Sequence, residues 1–233
     1  MYENTRCKHE NVYGSLVIKV RLEYMKKFFT NIAMSPEKLF ESYSYEAVGN
    51  SHLSMASRTH FPIIPAINGY VQPGETIRVF AVVGNTENEI RNLGIFQSEF
   101  EQVCSNRNIL CPGHVEVIKG PKDQNVDSQL SIFQKLLDYM DDSDELFACL
   151  TYGTKMMSMS LLSAIRYAYR LKRNVSISCI VYGEVVRPAP DKKTWRPYIY
   201  DETALIQMDE ITRMLAERGV ENPRAFIQGV LEL

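Results

Sequence analysis

One stretch past the middle of the chain, residues 145–171, constrains the fold more than any other. Its uninterrupted apolar run, residues 146–150, stops at the polar sequence of residues 151–155 (TYGTK), and from Met156 onward the apolar residues recur at helical spacing. This order predicts a buried strand, a tight turn and a helix. Strand, turn and helix together form the repeating unit of parallel α/β sheets.

The residues of this turn are of types that bind phosphate. Unpaired backbone N–H groups at a helix N-terminus favour an anion, and two threonine hydroxyls and a lysine add further donors here. Gly153 lets the backbone approach a ligand closely. The same pattern also fits a second interpretation, in which Thr151 or Thr154 only caps the helix and Lys155 is a solvated surface residue.

Composition limits the class of protein and of partner. The chain has 233 residues, 45% of them hydrophobic, which is enough for one globular domain with a full core. Its 26 basic and 28 acidic residues give a formal charge of −2, so we expect no binding of long DNA or RNA. A small anionic ligand needs only a local positive patch.

Cysteine usage and hydropathy bear on location. The five cysteines are odd in number, and Cys149 and Cys179 lie inside apolar runs, where cysteine behaves as a small hydrophobic residue. No apolar run approaches the length of a membrane span. We therefore expect a protein of the reducing cytoplasm that does not bind a membrane.

Further apolar runs and helical stretches alternate along the chain. They predict right-handed crossovers and a mainly parallel sheet of about six strands, a Rossmann-like three-layer sandwich in the α/β class. Residues 1–24 have no strong period and are interpreted as an appendage or a misassigned start, and the acidic run 141–145 as a solvated turn rather than a metal site. The predicted strands are residues 27–34, 76–83, 114–118, 146–150, 175–182 and 198–200.

The candidate ligand-binding residues follow three of these strands. Ligands of parallel sheets bind beyond the carboxyl ends of the strands. That rule brings Ser35, the turn with Asn85 and Thr86, and the turn 151–155 to one edge of the molecule. Three turns that meet at one edge favour the phosphate-binding interpretation.

Several common catalytic motifs are absent from the sequence. It contains no GxGxxG after the first strand, no GxxxxGK[ST] and no HExxH. A dinucleotide-dependent dehydrogenase, a P-loop kinase and a zincin-type protease are therefore not expected. The cysteines and histidines lack zinc-ligand spacing, and the sequence predicts no metal and no cofactor.

With these elements placed, the chain resembles the CARF domains of CRISPR-associated proteins, in the group with a DxTHG signature after the fourth strand. The equivalent here is Leu150-Thr151-Tyr152-Gly153-Thr154-Lys155, in which Leu and Tyr replace the Asp and His. Residues 181–184 (VYGE) are similar to the YGA or YGE after strand five of the family, and residues 200–205 (YDETAL) to its D-x-T-x-L helix start. The resemblance spans residues 25–233, which would form one CARF-like ligand-binding domain.

The resemblance implies a homodimeric sensor of cyclic oligoadenylates, the second messengers that type III CRISPR complexes make on detecting foreign RNA. Cyclic tetra-adenylate is the expected ligand, and a separate effector protein is a possible partner. By the same resemblance, Thr154 and Lys155 would hold phosphate or ribose, and Ser35, Asn85 and Thr86 would flank adenine or ribose. The sequence does not assign the adenine contacts.

Two other functions fit the same residues. In a ring nuclease, the ribose 2′-OH of the substrate would attack the adjacent phosphate, with Lys155 stabilising the developing charge and Ser35 aligning the attack. A metabolic nucleotide-binding enzyme on a similar sheet is the third reading. The sequence does not distinguish sensor from nuclease, because binding and slow cleavage would use the same turn.

Overall fold

A computed structural model describes residues 24–231 as seven strands and six α-helices, which alternate strictly only between residues 63 and 186. The strands are β1 (Met25–Asn31), β2 (Glu46–Val48), β3 (Ile77–Val83), β4 (Val115–Lys119), β5 (Asp144–Cys149), β6 (Ser176–Val186) and β7 (Arg196–Asp201). The helices are α1 (Ile63–Tyr70), α2 (Glu87–Arg107), α3 (Val126–Leu137), α4 (Lys155–Leu171), α5 (Thr203–Glu217) and α6 (Pro223–Leu231). The expected segment 1–24 lies outside the described residues, apart from Tyr24.

The strands form one sheet in the order β2-β7-β6-β5-β1-β3-β4. All neighbours are parallel except β6 and β7, which form an antiparallel hairpin. The α/β class and the mainly parallel Rossmann-like sheet are therefore confirmed. The prediction of about six strands missed β2, because its three residues are at most half-buried and carry no apolar period.

Two apolar layers cover the two faces of the sheet. On one face, Phe28 stacks on Phe147 with ring centroids 4.3 Å apart, and α1 and α2 pack over them. On the other, Phe29 stacks on Phe80 at 4.8 Å beneath α3 and α4. Each fully buried side chain of this size contributes about 1.5–3 kcal/mol relative to an exposed one. Successive residues of β1, Phe28 and Phe29, thus anchor opposite layers, as the two-residue period of a strand requires.

The acidic run 141–145 is not only a solvated turn. Asp144 is 2% exposed, as is Lys27 of β1, whose ammonium lies 2.8 Å from Asp144, 2.7 Å from Asp141 and 3.0 Å from the Tyr139 carbonyl. Burial raises the pKa of the Asp144 carboxyl, whereas the hydrogen bond from Lys27 lowers that of Asp141. The solvated-turn interpretation was wrong at Asp144, because the buried ammonium of Lys27 needs a buried anionic partner and Asp144 supplies it.

The strand bounds differ from the prediction at the edge where a ligand would bind. The first strand ends at Asn31, three residues sooner than expected, so that Ser35 lies in the loop beyond it. The strand predicted over 175–182 continues to Val186, because it pairs with β7 in the hairpin. None of the helices within residues 24–231 has the length and apolar character needed to cross a membrane.

Candidate functional site

The carboxyl ends of β5, β1 and β3 lie side by side at one edge of the sheet. Each is followed by a predicted ligand-binding segment: the turn 151–155 after β5, Ser35 after β1, and residues 84–86 after β3. Helices α4 and α2 begin at the first and last of these segments. The topology therefore brings the sequence-predicted residues to the same edge, but their side chains have different surroundings.

Thr154 is the N-cap of α4. Its hydroxyl accepts a hydrogen bond from the backbone N–H of Met157 at 3.2 Å and donates one to Gln124 Oε1 at 2.8 Å. Thr154 therefore caps α4, as the second interpretation expects of Thr151 or Thr154. The N–H groups of Lys155 and Met156 precede the first intrahelical bond, and the exposed Lys155 side chain makes no ion pair within residues 24–231. These donors remain for a ligand.

Gly153 has a φ of +86°, and the side of its Cα atom on which a side chain would lie is directed toward Asn31. A Cβ atom on Gly153 would lie 2.9 Å from Asn31 Cβ and 3.1 Å from its Nδ2. Asn31 is fully buried, and neither the oxygen nor the nitrogen of its side-chain amide has a hydrogen-bond partner in the described chain. A buried amide without partners costs about 1–3 kcal/mol, so Asn31 marks this position as one that calls for an explanation. No sequence pattern distinguishes Asn31, a polar residue within the stretch 27–34 that is predicted as the first strand.

The turn after β3 is already occupied by a carboxylate of the protein itself. Glu89 accepts hydrogen bonds from the N–H of Gly84 at 2.9 Å, from the N–H of Thr86 at 3.1 Å and from the Thr86 hydroxyl at 2.7 Å. Thr86 in turn caps α2 through the Glu89 N–H. A phosphate at this turn would have to displace Glu89, whereas the Asn85 side chain is exposed.

A cleft of about 270 Å³ lies beside β6 and collects part of the predicted site. It contains Ser35, Thr151 and Tyr152, but not Asn85, Thr86 or residues 153–155. We call it the aromatic cleft because five aromatic side chains surround it. Its lining residues are Ser35, Leu39, Phe40, Glu41, Tyr43, Tyr45, Thr151, Tyr152, Tyr182, Gly183, Glu184, Val185 and Arg187.

Hydrogen bonds that each join a backbone group to a side chain hold Ser35 and Thr151, the serine and the threonine of the cleft, in place. The Thr151 hydroxyl accepts a hydrogen bond from the Gly183 N–H at 2.7 Å, which ties the end of β5 to β6. The Ser35 carbonyl accepts from Arg91 Nη2 at 2.9 Å and from Asn92 Nδ2 at 3.0 Å. The Ser35 hydroxyl itself has no protein partner among residues 24–231. It is therefore held at the cleft with a free donor and acceptor.

Tyr152 mainly holds the turn 151–155 against the segment that contains Phe40, His60 and Phe61. Its hydroxyl donates to the His60 carbonyl at 2.6 Å, and its ring contacts Phe40 and Phe61 edge-on at 5.8 and 5.7 Å between centroids. Burial raises the pKa of Tyr152 and of its neighbour Tyr45, so both phenols stay neutral at physiological pH. Because the Tyr152 hydroxyl is used by the backbone, the residue can offer a ligand only its ring.

The other aromatic residues of the cleft come mostly from the irregular segment after β1. Phe40, Tyr43 and Tyr45 lie within six residues there, and Tyr182 comes from β6. Sequence reasoning missed them because this segment has no period, and its density of aromatic residues was the only signal. Aromatic faces stack on planar ligands such as nucleobases.

The described chain shows no cluster of three or more His, Cys, Asp or Glu side chains that could hold a metal ion.

No protein-family model matches this chain, and no curated protein matches it significantly.

Proposed function

We propose that the protein is a sensor of cyclic oligoadenylates, with cyclic tetra-adenylate as the first candidate, in type III CRISPR antiviral defence. The observation that carries the proposal is one edge of the sheet that offers both kinds of contact a nucleotide needs. Free cationic and N–H donors stand at the start of α4, and an aromatic cleft lies beside them. The resemblance of residues 150–155 to the CARF signature supports the identity of the ligand.

The phosphate contact would come from α4. This helix has 17 residues, and its N-terminus carries about half a positive charge from aligned peptide dipoles. Lys155 adds a full charge in the same turn. The buried Asn31 amide beneath Gly153, which has no hydrogen-bond partner among the described residues, is a second, independent feature of this position.

The base contact would come from the aromatic cleft. Stacking of a base on an aromatic side chain is worth about 1–3 kcal/mol. The cleft, with a volume of about 270 Å³, has room for one nucleobase. The Ser35 hydroxyl beside it can form a hydrogen bond to a ribose or to the edge of the base. A ligand in which phosphates and bases alternate would therefore engage α4 and the cleft together.

A homodimer suits this ligand. A ring of four identical nucleotides has two-fold symmetry, and an isologous dimer presents the same surface twice across its axis. Each subunit would supply one α4 N-terminus and one cleft. Occupancy of the dimer would then be read by a separate effector protein.

The ring nuclease is the alternative that a specific observation favours. The Ser35 hydroxyl and the Lys155 ammonium are both free of protein partners within the described residues. In that reaction the ribose 2′-oxygen bonds to the adjacent phosphorus, the 5′-oxygen leaves, and a 2′,3′-cyclic phosphate and a 5′-hydroxyl remain. Lys155 would stabilise the phosphorane charge, and Ser35 would orient the attacking hydroxyl.

Product chromatography separates these functions. Purified protein would be incubated with cyclic tetra-adenylate and cyclic hexa-adenylate, beside Lys155→Ala and the control Lys172→Ala, which removes the same charge at the other end of α4. A ring that stays intact and bound supports the sensor. Linear products that disappear only in Lys155→Ala support the nuclease. If neither ring binds, both proposals fail, and a metabolic nucleotide-binding enzyme becomes the better hypothesis.

A further inference from the structure

The loop between β6 and β7, residues 187–195, is joined to the rim of the aromatic cleft by one ion pair, between Lys192 and Glu41, which we call the latch. Lys192 forms an ion pair with Glu41, a cleft residue that lies 151 positions away in the sequence. Arg187, at the start of the loop, also lines the cleft. The Arg187 guanidinium and the Lys192 ammonium lie 4.8 and 5.6 Å from the ring centroid of Trp195. The loop thus carries two cations around one indole: Arg187 lines the cleft, and Lys192 contacts the cleft residue Glu41.

This loop is basic in a chain whose formal charge is negative. Arg187, Lys192 and Lys193 face only one acidic residue of the same loop, Asp191. The loop itself therefore has an excess of positive charge, and its cations lie beside the two carboxylates of the cleft, Glu41 and Glu184. An excess of cations attracts anions, and Glu41 is the anion that the free protein itself supplies to Lys192.

The latch is weak enough to be exchanged. Lys192 is 64% exposed and Glu41 29% exposed, and an ion pair with that much solvent contributes about 0–1 kcal/mol. A phosphate that reached the same ammonium would keep its charge-assisted hydrogen bond and add that of Arg187. The exchange of one carboxylate for one phosphate would therefore cost little and gain a second cation.

We infer that the loop is a strap for the ligand: a phosphate of the bound nucleotide takes Lys192 from Glu41, and the loop closes over the aromatic cleft. The inference rests on the proposed function and adds which residues close the site. Glu41 acts in the free protein as an internal competitor of the ligand. Trp195, the sole tryptophan of the chain, changes its surroundings when the two cations move.

A purely structural latch and an exchanged one predict opposite results for Glu41. If the ion pair only holds the rim in place, loss of either partner harms binding in the same way. If the ligand competes with Glu41, then Glu41→Gln removes the competitor and tightens binding, whereas Lys192→Ala removes the phosphate contact and weakens it. The signs of the two effects therefore decide between the readings.

The experiment measures the Kd of cyclic tetra-adenylate by calorimetry for the full chain and for three variants. We expect Glu41→Gln to bind about threefold more tightly and Lys192→Ala about tenfold more weakly, with both differences reduced at high salt. Lys193→Ala is the matched control, since it removes the same charge from the next residue of the loop, and we expect its Kd to stay within about twofold. The Trp195 emission of the wild-type protein should change as the ring saturates it.

The outcomes separate this inference from the proposed function. If the wild-type protein binds the ring, but Glu41→Gln and Lys192→Ala change the Kd in the same direction or not at all, the strap is refuted and the sensor stands. An unchanged Trp195 emission at saturation would refute it as well. If the wild-type protein binds no ring, the sensor itself fails, and the strap with it. Thermal unfolding midpoints of the three variants, which all alter exposed or half-exposed side chains, should match that of the wild type.

Discussion

Gly153 and Asn31 are in such close contact that a Cβ atom on the glycine would lie 2.9 Å from the Cβ of the asparagine. Asn31 ends β1, and Gly153 lies in the turn that follows the neighbouring strand β5. The φ of Gly153 is +86°, a backbone conformation that other residues adopt only with strain. The turn before α4 can therefore lie this low over the sheet only with glycine at this position.

The first prediction concerns this contact. Gly153→Ala should lower the free energy of unfolding by about 1–3 kcal/mol, because it adds both left-handed strain and a clash with Asn31. Urea unfolding measures the change. Gly94→Ala is the control: Gly94 is exposed within α2 with nothing within 4 Å of its Cβ position, so there alanine should stabilise the helix by about 0.5–1 kcal/mol. Equal effects of the two substitutions would show that Asn31 and the turn do not constrain position 153.

The second prediction concerns the buried lysine. Lys27→Met leaves the Asp144 carboxylate buried without its cation, and we expect a loss of about 3–5 kcal/mol in the free energy of unfolding. The neighbouring Lys26, 15% exposed, pairs with the half-exposed Glu75 and donates to the Tyr70 carbonyl, so Lys26→Met should cost less than Lys27→Met, about 1–2 kcal/mol. Denaturant titration of both variants tests this. A Lys27→Met protein as stable as Lys26→Met would mean that Asp144 finds another partner or is neutral.

The third prediction is a loss of stability in alkaline solution. Burial raises the pKa of Cys104 from 9.0 to about 12 and that of Cys111 from 9.0 to about 11. Between about pH 9 and pH 11 the unfolded chain releases these thiol protons while the folded chain keeps them, so the free energy of unfolding falls as the pH rises. Burial raises the pKa of Cys149 and Cys179 as well, which acts in the same direction.

Urea midpoints at pH 8 and pH 10 measure this effect. We expect the wild-type midpoint to be lower at pH 10, and the double variant Cys104→Ala/Cys111→Ala to show a smaller difference between the two pH values. A wild-type midpoint that is constant or rises over this range would contradict the assignment of protonated thiols to the folded state.

The sequence predicted the parts of the fold that repeat. Apolar runs followed by helical spacing identified six of the seven strands, and the turn 151–155 was placed correctly at the carboxyl edge because parallel topology leaves it no other position. The sequence also predicted that Thr154 could cap α4, because a helix cap depends only on the residues next to the start of the helix.

What the sequence could not predict depends on contacts between distant residues. The Glu89 carboxylate in the turn after β3 follows from a capping box, but its bond to Gly84 depends on how that turn folds back. The ion pair between Lys192 and Glu41 joins segments without any period. The Asn31 side-chain amide lacks hydrogen-bond partners because of how the surrounding residues pack, and no sequence pattern predicts that packing.

The measurement that tests the central claim most directly is a calorimetric titration of cyclic tetra-adenylate into the wild-type protein, Lys155→Ala and Lys172→Ala. Lys172 lies at the other end of α4, about 25 Å from Lys155 along the helix, and carries the same charge. We predict one ring bound per two chains, a Kd about tenfold higher for Lys155→Ala, and an unchanged Kd for Lys172→Ala. No binding by the wild-type protein, or equal affinities for all three proteins, would contradict the assignment of the α4 N-terminus as the phosphate site.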